Sequence, residues 1–304
     1  MAAPLILLNP NAGSGRALRL APQIDAWARV HHAQPRLHVA NGVDDALAAL
    51  RALRDGSRVA VVGGDGTVHK LLPALIERHH MLGIVACGTG NDTARALGVH
   101  RLKWPAALEF ALSAAPQAID AASVRTADMR CAFISSLAAG FDAAVAIRAL
   151  ATARALPGTL RYLWATLAEL RALRCHRLRV ECDGAVVHDG DALFASALNT
   201  PSYGSGMPAI PHAGIDDARL DLLLAGRFGR AGTLLMLPLL LSALHLRHPR
   251  VRTQPFTTLR VHADSPLPLA ADGEPLAAAT EFEVTVLAGA LTVARHDEAP
   301  RSPA

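Results

Sequence analysis

The chain has 304 residues, room for two domains at roughly 100 to 200 residues each, and its 51% hydrophobic and 18% charged composition excludes an intrinsically disordered polypeptide. Thirty Lys and Arg against 26 Asp and Glu leave a net charge of +4, with the arginines scattered; this suits phosphates or an anionic membrane surface, not the basic stripe of a nucleic-acid binder. Cys87, Cys131, Cys175 and Cys182 have no CxxC spacing, which argues against a zinc or redox pair, and they read as core thiols in a reducing compartment.

The first apolar run, residues 5–8, has no basic residues before it and is too short for a signal sequence, so a cytoplasmic protein is expected. Runs at 37–40, 59–62 and 83–86 are further strand candidates. Between them, Leu and Ala at three-to-four spacing predict helices over 17–30, 44–53 and 68–78. This alternation predicts an α/β domain with a parallel sheet over residues 1–116.

Beyond about Gln117 the pattern changes. Runs at 177–181 and 186–188 flank Asp183-Gly184, a hairpin signal. Further strand candidates lie at 193–198, 220–224, 259–262, 282–287 and 291–294, so a mainly antiparallel β domain is expected over 117–290, followed by a segment 291–304. Two helical patterns interrupt it, 143–174 with a break at Pro157-Gly158, and the apolar stretch 231–246. No repeat or flexible linker occurs, and the two domains are expected to pack with a cleft between them.

The 231–246 stretch contains Pro238 and is shorter than the ~20 residues a membrane span needs. It reads first as a buried helix. The alternative is a helix beside an apolar substrate mouth or lying on a bilayer, with Arg247, His248, Arg250 and Arg252 facing headgroups.

The strongest local signal is Gly63-Gly64-Asp65-Gly66-Thr67, a glycine turn between an apolar strand and a helix expected to begin near Val68. Glycines let backbone N–H groups approach an anion, and a helix start adds partial positive charge, so a phosphate is the natural ligand. Two more polar loops follow strand ends, Asn9-Pro10-Asn11-Ala12-Gly13-Ser14-Gly15-Arg16 and Gly88-Thr89-Gly90-Asn91-Asp92. In an open parallel sheet ligands bind beyond the carboxyl ends of the strands, which predicts one site from the three loops. None is a Walker A or GxGxxG sequence, and the protein-kinase HRD and DFG motifs are absent.

Asn9-Pro10, the Gly63–Thr67 turn and Gly88–Asp92 together resemble the diacylglycerol kinase catalytic-domain family, which includes sphingosine kinases and bacterial soluble lipid kinases. Later segments resemble its further blocks in order: Gly140-Phe141-Asp142-Ala143, residues 158–162, Tyr203-Gly204-Ser205-Gly206-Met207, residues 216–221 and Asp272-Gly273-Glu274.

The resemblance implies an ATP-dependent lipid kinase with an α/β nucleotide domain, a β-sandwich-like second domain, and a last segment that returns to the first domain. It places nucleotide phosphates on Gly63, Gly64, Asp65, Gly66, Thr67 and His69, with Asn9, Pro10, Asn11, Gly13 and Thr89 lining the nucleotide. Asp65 would act on magnesium or ordered water, and Asp92 in the network joining nucleotide and metal. Phosphoryl transfer to an alcohol wants a carboxylate to take the proton; the resemblance puts that acid at Asp272 or Glu274. A second magnesium would sit on Asp217 with the carbonyls of Gly214 and Arg219, an oxygen-only set.

The chain departs from the family at His69 and Lys70, where an Asn and an acid are usual. At Ala40 it lacks a usual threonine, and at Ser205 and Ala218 usual glycines. The expected reaction transfers the γ-phosphoryl group to a diacylglycerol, another glycerolipid or a sphingoid-like base, with transient membrane contact and no nucleic-acid partner; the resemblance permits a homodimer. An NAD kinase, which shares the Gly-Gly-Asp-Gly-Thr loop, and a nucleotide-binding regulatory protein without catalysis are the rival readings.

Overall fold

The computed structural model describes residues 3–152 and 158–296, in two compact units: residues 3–119 with 289–296, and Asp120–Ala288. The first is a parallel α/β unit. Strands β1 (Leu5–Leu8), β2 (Arg36–Val39), β3 (Arg58–Gly63) and β4 (Met81–Ala86) lie in the order β4-β3-β1-β2, all parallel. The last part of β13 (Glu274–Ala294) adds Thr292 and Val293 beside Met81 and Leu82 of β4, again parallel.

Helices α1 (Ala12–Val30), α2 (Val43–Arg51) and α3 (Asp65–Glu77) make the crossovers. Burial follows sheet position. Central β1 and β3 are apolar and buried, with Leu5, Ile6, Leu8 and Val59 to Val62 essentially inaccessible, whereas edge strand β2 exposes Arg36. Chain order matters as much. From β1 the chain crosses one way to β2, and from β3 the other way to β4, so the crevice where the connections diverge lies between β1 and β3. That is where an open parallel sheet takes its ligand.

Two short helices complete this unit, α4 (Asp92–Ala96) and α5 (Trp104–Ser113). Helix α5 packs so closely on β4 that a Cβ at Gly83 would stand 2.2 Å from the Cβ of Ala111.

The second unit is antiparallel. Strands β7 (Ser136–Ala139), β9 (Ala185–Leu198), β10 (Leu220–Gly226) and β11 (Val251–Phe256) run side by side. β12 (Thr258–Ala271) pairs with β7, with β8 (His176–Cys182) and with β13; β5 (Pro116–Arg125) pairs with β6 (Arg130–Phe133). The Asp183-Gly184 hairpin joins β8 to β9, both residues left-handed at φ 49° and 82° as a two-residue type I′ turn requires. The core gathers Phe133, Phe256 and Phe282 with Leu178, Val180 and Val261. Helices α6 (Phe141–Ala151), α7 (Gly158–Glu169) and α8 (Arg230–Leu241) belong to this unit. The expected break at Pro157 lies outside the described residues.

Three expectations need correction. Helix α8 is not buried: Thr233 alone among its residues is, while Leu234, Leu235 and Leu241 are exposed, because the second-unit core is closed by strands and leaves the helix outside it. Only Cys87 and Cys182 are core thiols; Cys131 and Cys175 are half-buried. Strand candidates 186–188 and 193–198 are one strand, β9, and 282–287 and 291–294 are both part of β13. Among the described residues no helix is long and apolar enough to cross a membrane.

Substituting Gly83 by Ala forces α5 away from β4. An overpacking cost of about 1–3 kcal/mol is expected, read as a lower midpoint in urea with an unchanged slope.

Candidate functional site

The glycine turn after β3 is tighter than the spacing predicts. Helix α3 starts at Asp65, not Val68, because the N–H groups of Thr67 and Val68 both donate to the Gly64 carbonyl, at 2.9 and 3.1 Å. Asp65 and Gly66 therefore open the first helical turn, where the leading N–H groups have no acceptor within the helix, whereas the Thr67 N–H is taken by Gly64.

All three predicted loops meet here. The Asn9 side-chain amide donates to the Thr67 hydroxyl at 2.8 Å, and Asn9 Oδ1 accepts from the N–H of Asn11. Gly13, at φ 59°, lies where a Cβ would be 2.5 Å from the Cys87 carbonyl. Gly64 and Gly88 face one another, and a Cβ on either would come within 2.8 Å of the other's Cα.

Asn91, left-handed at φ 54°, clamps Gly88 through both ends of its amide, at 2.9 and 3.0 Å. Asp65 closes the arrangement: one carboxylate oxygen accepts from Asp92 N–H and the other from Thr93 N–H, both at 3.0 Å. It thereby caps α4 from a different loop.

Pro10 and His69 are half-buried beside these contacts, and Thr89 is exposed at the tip of its loop. Ala40, at the departure from the family pattern, is buried and donates its N–H to Leu8. The result is a ring of polar loops at the β1/β3 crevice, suited to an extended anion.

In the second unit the Asp272-Gly273-Glu274 block is the β12–β13 turn, with Asp272 and Gly273 left-handed. Asp272 is committed to backbone. Its carboxylate accepts from Ser135 N–H at 2.7 Å and Ile134 N–H at 3.1 Å, with Ser136 N–H at 3.3 Å. Tyr162 of α7 sits beside the same turn, its hydroxyl 3.8 Å from where a Cβ would stand at Gly273, and its ring 3.5 Å from the corresponding point at Gly204. Tyr162, Gly204 and Gly273 are thus neighbours.

Asp142 lies close by. Burial raises its carboxyl to about 6 against the hydrogen bonds it accepts from Ser196 and the Ala143 N–H. Burial first, and then the Asp142 and Tyr162 charges, push the Tyr203 phenol well above its ordinary range.

Asp217 turns its carboxylate back on its own loop. Oδ1 accepts from Arg219 N–H at 3.0 Å, and Oδ2 occupies the space over Gly214 that a Cβ would fill, 2.8 Å from it. No group of three or more His, Cys, Asp or Glu side chains that could hold a metal ion occurs among the described residues. A cation here would depend on one carboxylate plus the carbonyls of Gly214 and Arg219, a set that fits a hard, water-keeping ion such as magnesium.

Asp120 was not singled out from the sequence. It is buried in β5, accepts from Ala218 N–H at 2.7 Å, and its own carbonyl takes the Asn199 amide at 2.9 Å. Its signal was available: a lone acid inside an apolar strand needs partners when buried.

The fold is that of the NAD kinase and diacylglycerol kinase class. Residues 3–124 match the diacylglycerol kinase catalytic domain, and residues 135–295 the YegS C-terminal NAD kinase β-sandwich-like domain. A diacylglycerol kinase of Mycobacterium tuberculosis is 32% identical over 295 residues, covering 95% of this chain and 94% of its own. The chain belongs to the diacylglycerol kinase/YegS-like lipid kinase family.

Solved structures bear out the fold. A diacylglycerol kinase from Bacillus anthracis superposes with TM-score 0.70 at 18% identity over 97% of both chains. An NAD kinase from Archaeoglobus fulgidus in complex with ATP gives 0.54 at 11% identity, over 97% of this chain and 95% of its own. The NAD kinase likeness is thus the more distant.

Ser205 and Ala218, where the family pattern has glycine, are left-handed at φ 73° and 60°. Such a conformation costs a residue with a Cβ about 1 kcal/mol or more. Ala218→Gly keeps the backbone N–H that donates to Asp120 and is expected to raise the melting temperature; an unchanged or lower value would show that the left-handed conformation carries no strain there.

Proposed function

We propose that the chain is an ATP-dependent lipid kinase, transferring the γ-phosphoryl group of ATP to a hydroxyl of a diacylglycerol or related lipid. The observation that carries this is the Asp65 bridge, which joins the Gly63–Thr67 turn to the Gly88–Asp92 loop, while Asn9 ties in the first. Backbone N–H groups around Gly64 and Gly66 and the α3 N-terminus would bind the phosphates, with Asn9, Asn11 and Thr89 at the nucleotide and His69 as a further donor. A preorganised ring of this kind lowers the barrier by positioning and by stabilising charge as it develops. A bound magnesium ion would supply charge neutralisation to the phosphates. Asp65 and Asp92 are the acids placed to orient water toward it, and Asp217 with Gly214 and Arg219 would hold a second ion that braces its loop.

The reaction breaks the bond between the γ-phosphorus and its bridging oxygen, and joins the phosphoryl group to the lipid oxygen, whose proton must go to a base. We assign that base to Glu274. The Asp272 carboxylate is already engaged by the N–H groups of residues 134–136, which makes it the positioning acid of the turn. With ATP as phosphoryl donor, the protein would work in the cytoplasm. The uncovered apolar helix α8 gives lipid tails a place to lie. NAD phosphorylation is disfavoured by the family match and by the Asn9-Pro10 and Gly88–Asp92 loops.

With ATP, magnesium and a lipid panel beside NAD, label is expected in the lipid fraction; label in NADP alone would replace this reading. Asp65→Ala is expected to abolish turnover. A loop acid reads from sequence as nearly free to remove, but here the change also strips a cap from α4, at about 1 kcal/mol, and a small fall in melting temperature should accompany it. Glu274→Gln should lower kcat by about 10²–10⁴ at wild-type stability, whereas Asp272→Asn should destabilise the 134–136 segment. Full activity in Glu274→Gln with none in a folded Asp272→Asn would move the base to Asp272.

A further inference from the structure

We propose that α7 and α8 form one apolar docking face that seats the second unit on an anionic bilayer, with Trp164 at its centre. The inference rests on the lipid-kinase reading and names the surface by which the chain reaches its substrate. Leu160, Leu163, Trp164 and Leu167 of α7 are 52%, 41%, 47% and 45% exposed. They recur at spacings of three and four, so they line one side of the helix. Ala165 and Thr166 are buried on the other side, where Tyr162 also packs against Ala165, Val145 and Ala149. Helix α7 therefore already has its apolar contact with the core, and the Leu/Trp stripe is a second one, turned outward.

Helix α8 extends that face with Leu234, Leu235 and Leu241. Helix α8 adjoins the turn that follows α7. Leu173 and Cys175, beyond α7, and Met236 of α8 pack on one cluster of Leu193, Ala225 and Phe228, and the Arg230 guanidinium donates to the Arg171 carbonyl at 2.8 Å. An uncovered apolar face of this extent needs a partner.

Charge selects which partner. Arg171, Arg174, Arg230 and Arg247 are exposed around the face, and the chain has no acidic residue between Asp221 and Asp264. The acid at the end of α7, Glu169, is paired with Arg148. A second copy of the chain would bring arginine against arginine, whereas anionic headgroups pair with every one of them while the leucines enter the acyl boundary. Tryptophan suits that boundary, with an apolar ring and one N–H donor. As neither helix can cross a membrane, both would lie in its surface. Tyr162 ties this surface to the proposed chemistry, because it stands on α7 with its hydroxyl beside the 272–274 turn.

The test uses the full chain with vesicles of mixed phosphatidylglycerol and phosphatidylcholine, and with vesicles of phosphatidylcholine alone. The protein should sediment with the anionic vesicles only, with a blue shift in tryptophan emission that is lost in Trp164→Phe. The double variant Leu163→Gln/Leu167→Gln should need about tenfold more lipid for half-binding. It should keep the wild-type melting temperature and its activity on dioctanoylglycerol in detergent micelles.

Wild-type vesicle binding by the double variant overturns the proposal, as does equal binding to neutral vesicles. So does a Trp164 shift that depends on protein concentration without lipid, which would mean that a second copy covers the face. Failure of the lipid-kinase reading shows separately, as no phosphorylated dioctanoylglycerol from the wild-type protein in micelles, whatever the vesicles report.

Discussion

The Asp65 carboxylate, shared between the backbone N–H groups of Asp92 and Thr93, is the contact on which the arrangement of the three loops depends. An ionised acceptor on two N–H groups is stronger than a neutral one, and these two lie at the start of a helix whose own acceptors begin a turn later. One side chain thus fixes the distance between the turn after β3 and the loop after β4. The facing glycines, Gly64 and Gly88, then let the two backbones approach to a separation that no Cβ would permit. Asn9 brings in the third loop through Thr67.

The second unit uses the same device repeatedly. Asp272 gathers the N–H groups of 134–136, Asp120 holds Ala218, and Asp183 accepts from Thr257 and Thr258. For Asp183, burial raises the carboxyl and the Thr257 and Thr258 hydrogen bonds outweigh it, leaving it below the usual carboxylate range. Each acid is a loop clamp before it is anything else. This bears on how the family motifs are read: in Asp272-Gly273-Glu274 the first acid builds the turn. Asp217 differs in turning one oxygen toward its own loop backbone at Gly214.

Legibility in the sequence followed locality. Strand β1 and the Asp183-Gly184 hairpin are read from a few adjacent residues, and they stand where the pattern places them. Helices α4 and α5 and strands β5, β6, β7 and β11 escaped notice. Residues 116–125 mix alanine with an acid, so neither a period of two nor one of 3.6 stands out. In α8 the composition is apolar throughout, and composition predicts burial; nothing in it says that strands close the core and leave the helix outside.

By itself the sequence determined the three polar loops, the family and the two-part plan, because loops and family motifs rest on residues close together in the chain, glycines among them that let backbones approach closely, and the plan on a change of pattern along it. Tertiary structure alone decided that Asp65 caps a helix 27 residues further on, that Asp272 is bound to a segment more than 130 residues earlier, and that the α7 and α8 leucines face outward. A hydrogen bond between distant segments, and which side of a helix the core leaves uncovered, depend on how strands are ordered in space, and no local pattern of residues carries that order.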